Sequence, residues 1–78
     1  MKFAKIIELP ENQVVLMAIW DEDNGYAVEL HTEVGGMHVT TTVGFEDKED
    51  VRDEMFESYS EETAIKFHGE MTKLLLED

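Results

Sequence analysis

The sequence predicts an α+β domain, with an antiparallel meander of three or four strands followed by two C-terminal helices packed on one sheet face. Three observations lead there. Asn24-Gly25 and Gly35-Gly36 punctuate the first half of the chain, and such pairs supply the positive φ that tight hairpins need. Around them, apolar and polar residues alternate with period two. Beyond Phe45 the period lengthens to that of a helix.

Residues 3–9 (FAKIIEL) predict the first strand, which Pro10-Glu11-Asn12 ends. Residues 13–20 (QVVLMAIW) predict a second strand that is apolar on both faces. Val14, Leu16, Ala18 and Trp20 share one side, and Val15, Met17 and Ile19 the other. A two-residue turn at Asn24-Gly25 sends the second set to the core. It leaves Val14, Leu16 and Trp20 as an outer apolar stripe, covered by the first strand or by another chain. A three-residue loop would exchange the two faces. Residues 26–34 then place Tyr26, Val28 and Leu30 inward and Glu29, His31 and Glu33 outward. Residues 37–45 place Met37, Val39, Val43 and Phe45 inward and His38, Thr40 and Thr42 outward.

The first helix carries Val51, Met55 and Tyr59 on one face, with Phe56 at its border. The second helix, about residues 60 to 77, aligns Ala64, Phe67, His68, Met71, Leu74 and Leu75. Its start fits either a Ser58–Glu61 capping box or Ser60 as N-cap.

One domain spans residues 1–78, and a chain of this size buries only about 60% of its extended surface. The absence of cysteine excludes disulfides, zinc–thiolate sites and thiol nucleophiles. No apolar run approaches the roughly 18 residues of a membrane span, and residues 1–9 do not resemble a signal peptide. A cytoplasmic location is expected.

Charge is the chain's strongest peculiarity. The net charge is −13, and residues 46–62 hold nine acids against Lys48 and Arg52, a net of −7. Glu46, Glu49, Asp50, Asp53, Glu54 and Glu57 recur at three- and four-residue spacing, which on a helix puts neighbouring carboxylates about 5–6 Å apart. Phosphates along one nucleic-acid strand lie about 6–7 Å apart. In the second helix, by contrast, Glu62, Lys66 and Glu70, and Lys73 with Glu77, alternate in sign at four-residue spacing. Asp21, Glu22 and Asp23 add a second acidic group at the first hairpin. No basic patch is present to release counterions from a phosphate backbone, so direct nucleic-acid binding is excluded as an expectation.

Two histidines and a glutamate fall together on the outer sheet face. A two-residue Gly35-Gly36 loop sets Glu33 opposite His38 and His31 opposite Thr40, making the histidines diagonal neighbours. This spacing is no metal signature, and a cross-strand Glu–His pair explains it; neither metal nor other cofactor is expected. Ser58 and Ser60 are read as caps rather than nucleophiles, and no histidine has a Ser or Asp partner at a recognisable spacing.

The expected function is therefore binding rather than catalysis. The acids of the first helix, with Asp21, Glu22 and Asp23, would dock on a basic protein partner that handles nucleic acid. In size, charge and sheet-plus-helix make-up the chain resembles the small acidic anti-CRISPR and DNA-mimic proteins of phages and mobile elements. No motif carries that likeness, so it transfers no residue role. The alternative expectation is a homo-oligomeric structural module joined through Val14, Leu16 and Trp20.

Overall fold

The structure, a computed structural model, describes residues 3–76. Four strands form one antiparallel sheet in sequential order: β1 (Ala4–Glu8), β2 (Gln13–Asp21), β3 (Gly25–Val34) and β4 (Met37–Gly44). Helices α1 (Glu49–Ser58) and α2 (Glu61–Leu76) follow and pack on β1, β2 and β3. The smallest dimension, 16 Å, is that of one sheet and one helix layer.

The Gly35-Gly36 hairpin is a two-residue turn, with Val34 opposite Met37 and both glycines at positive φ. As predicted, Glu33 faces His38 and His31 faces Thr40. The first hairpin differs from expectation. Asp21 pairs with Gly25, so Glu22, Asp23 and Asn24 form a three-residue loop. The Asp21 carboxylate fixes it by accepting the Asn24 amide at 2.6 Å. One extra loop residue inverts the parity of β2. Leu16 now lies opposite Leu30, and Ala18 opposite Val28.

The core therefore comprises Val14, Leu16, Ala18, Val28, Leu30, Phe56, Tyr59 and Ala64, with Ile7, Val43, Phe45 and Phe67 packed around it. This corrects the expected outer stripe, because Val14 and Leu16 are both 0% exposed beneath the helices. Trp20 shares their face but, at the strand end, stays 60% exposed. Val15, Met17 and Ile19 take the helix-free face, where β1 adds Ile6 opposite Val15.

Helix α1 is rotated from its predicted phase. Arg52, Phe56 and Tyr59 are buried, Met55 is half-buried and Val51 is exposed. Lys5 on β1 donates to the carbonyls of Phe56 (3.0 Å) and Glu57 (3.1 Å). It thereby satisfies terminal acceptors and opposes the negative end of the helix dipole. Ser60 is the N-cap of α2, its hydroxyl accepting the Thr63 amide at 3.3 Å. Along α2, Ala64 is buried and Phe67, His68 and Met71 are half-buried, while Leu74 and Leu75 are exposed near the helix end. Asn12 ties the β1–β2 turn to β3 by donating to the Glu33 carbonyl at 2.8 Å, and His68 Nε2 lies 3.0 Å from the same oxygen.

Candidate acidic docking surface

The β2–β3 hairpin tip and the start of α1 are far apart in sequence but adjoin in the structure. After β4 the chain turns at Glu46, which has φ +54°. Its amide donates to the Asn24 carbonyl (3.0 Å), and its carbonyl accepts the Tyr26 amide (2.8 Å). Gly25 is required at this junction: its φ is positive, and a Cβ there would collide with the Glu46 carbonyl. Glu22 and Asp23 at the tip and Glu46, Asp47, Glu49 and Asp50 at the connector and first helical turn are all exposed. They form one acidic end of the molecule. Glu49 and Asp50 also suit the positive end of the α1 dipole.

Asp21 belongs to this region by sequence but serves the loop. Hydrogen bonds from the Asn24 backbone and side chain hold its carboxyl below the usual carboxylate range. The carboxylate is thus ionised at neutral pH, with its acceptors directed at its own turn.

The expected line of six unpaired acids is shorter in the structure. Arg52 is turned inward between two of them, its guanidinium 2.8 Å from Asp53 and 3.7 Å from Glu49. It also donates to the Ile19 carbonyl at 2.9 Å and stacks over the Tyr26 ring, 5.0 Å from the centroid. Glu49 and Asp53 are thus paired and drop out of the expected line. Asp50, Glu54 and Glu57 remain as an exposed outward line, successive by four and three residues, without an ion pair within 4.0 Å among the described residues. The contrast with α2 also weakens. No ion pair within that distance joins Glu62, Lys66 and Glu70 among the described residues, and Glu77 lies outside them.

On the helix-free face the two histidines meet as diagonal neighbours, but the glutamate that joins them is Glu29, on the same strand as His31, rather than Glu33 across from His38. Glu29 Oε1 lies 2.6 Å from His31 Nε2, and His31 Nδ1 lies 2.9 Å from His38 Nε2. The ring centroids are 5.1 Å apart, so the facing nitrogens point nearly at each other. Among the described residues, no group of three or more His, Asp or Glu side chains is placed to hold a metal. The histidines border an open recess of about 310 Å³ with Asn12, Gln13, Val15, Thr32 and Glu33. No described helix is long and apolar enough to cross a membrane.

Sequence reasoning missed Arg52, Lys5 and Asn12 as organisers. For Arg52 a signal was available in Glu49, three residues before it and so at helical contact spacing; Asp53, its next neighbour, gave none. Comparison with protein-family models, curated proteins and solved structures found no match for this chain.

Proposed function

We propose that this chain is a non-catalytic binding protein. It presents its acidic end, with Asp50, Glu54 and Glu57, to a Lys/Arg-rich surface of a nucleic-acid-handling partner protein. One observation carries this reading: the hydrogen bonds of Glu46 to Asn24 and Tyr26 merge two sequence-distant acidic groups into one surface. Asp50, Glu54 and Glu57 make no ion pair within 4.0 Å among the described residues, which leaves their field open to a partner and favours fast, salt-sensitive association. Their one-turn separation on α1, about 5–6 Å, approaches the phosphate spacing that a basic groove is built to accept.

Two charge-reversed proteins test the proposal. One carries Glu22→Lys, Asp50→Lys and Glu54→Lys. The other carries Glu11→Lys, Glu62→Lys and Glu70→Lys. All six positions are exposed, and both sets change the net charge equally. Glu49 and Asp53 are left intact because they hold Arg52. With wild type and both variants as bait against lysate of the native host, a basic partner should be retained by wild type and the second variant. It should be lost by the first. Equal retention by both variants would overturn the proposal.

A further inference from the structure

Strand β4 is an open edge. It pairs with β3 without a bulge, from Met37 opposite Val34 to Gly44 opposite Ala27, and among the described residues has no strand on its other side. Exposed edges are commonly guarded by lysine, proline, a bulge or extreme shortness. The eight residues of β4, MHVTTTVG, include no lysine, proline or acid. The opposite edge, β1, is only five residues long and carries Lys5 and Glu8.

We propose that two copies of this chain pair antiparallel through β4, about a two-fold axis at Thr41, to make one continuous sheet. The backbone is arranged for it. Phe45 donates its amide to the Tyr26 carbonyl, so by strand alternation Met37, Val39, Thr41 and Val43 direct their amides at β3. His38, Thr40, Thr42 and Gly44 direct theirs at the open edge. An axis at Thr41 sets Thr40 opposite Thr42 and His38 opposite Gly44 of the other copy, so all four edge positions pair.

The side chains agree with that register. Val39 meets Val43 and Thr41 meets Thr41, pairs of the β-branched kind that stabilise sheets, with no like charges opposed. Met37, which is 45% exposed, comes opposite Phe45 of the other copy. There it adjoins a recess of about 330 Å³ lined by Gly44, Phe45, Glu46, Lys48 and Val51, and Val51 is itself 45% exposed.

Net charge opposes self-association, and this arrangement keeps that repulsion small. With a net charge of −13, self-association needs a contact strip free of acids, which β4 supplies. The acidic end adjoins the Gly44 end of β4, so antiparallel pairing sends the two acidic ends in opposite directions. They separate by roughly 20 Å along the strands, beyond the screening length of about 8 Å at physiological salt.

Sedimentation across a concentration series and amide exchange test the pairing together. Wild type should sediment as a reversible dimer. As it forms, the amides of His38, Thr40, Thr42 and Gly44 should become protected as well as those of Val39 and Thr41. Thr42→Pro removes an edge donor but no bond to β3, and should weaken the dimer on the order of tenfold or more. Met37→Glu should weaken it comparably, and Ile6→Glu, away from β4, should leave it unchanged. If Thr42→Pro does not fold, wild-type exchange and Met37→Glu decide. A monomer at every concentration would overturn the proposal, as would a dimer with unprotected edge amides or one lost on Ile6→Glu alone. Edge protection that appears only with a foreign partner would also overturn it.

Discussion

Arg52 is only 4% exposed, and it decides how α1 meets the sheet. Its stem lies in the interface, and its guanidinium joins Ile19, Asp53, Glu49 and Tyr26 across two elements. A charge can be buried this way because its donors find a carbonyl and carboxylates rather than hydrocarbon. Removing it leaves the Ile19 carbonyl without that donor and opens a space beneath α1. Arg52→Ala should therefore cost about 2–3 kcal/mol. Arg52→Met, which keeps the stem, should cost about 1–2 kcal/mol. Urea unfolding measures both, and an Arg52→Ala protein within about 0.5 kcal/mol of wild type would show that the residue is peripheral. Counting hydrophobic residues alone puts Val51 inward, since an arginine's long apolar stem has no weight in such a count.

At the scale of elements, the two hairpins show what a local pattern can and cannot fix. Gly35-Gly36 sits between two clearly alternating strands, so the Glu33–His38 and His31–Thr40 pairings were legible. The run Asp21 to Gly25 was ambiguous, because Asn-Gly can close a two-residue turn or end a longer loop. The choice rests on the Asp21 side chain accepting the Asn24 amide. Strand β2 gave no help, being apolar on both sides, so either parity buried a plausible face. The outcome is testable in the core. Leu16→Ala should cost about 2–5 kcal/mol in urea unfolding, whereas Trp20→Ala, at an exposed strand end, should cost less than about 1 kcal/mol. The reverse order would restore the two-residue turn. The helices divide similarly. The cap of α2 was readable down to Ser60 as one of two options, but the length of its buried stripe was not. Ala64 through Met71 face the sheet, and the stripe then runs into solvent at Leu74 and Leu75.

For the whole molecule, composition gave the sign of the charge, and the fold gives its placement. The candidate surface was half legible. Both acidic groups were visible in the sequence, but their union depends on Glu46 bridging to Gly25, a contact between residues that no periodicity relates. The division of the α1 acids into those held by Arg52 and those facing water was equally out of reach without the helix phase. If the merged end is the docking surface, the protein's attraction for cations is concentrated there rather than spread over an acidic surface. Titrating isotope-labelled protein with a short arginine-rich peptide while following backbone amide resonances tests it most directly. The largest shifts should fall at residues 22–25 and 46–54 and diminish as salt is added. Shifts of equal size around Glu11, Glu61, Glu62 and Glu70 would contradict it.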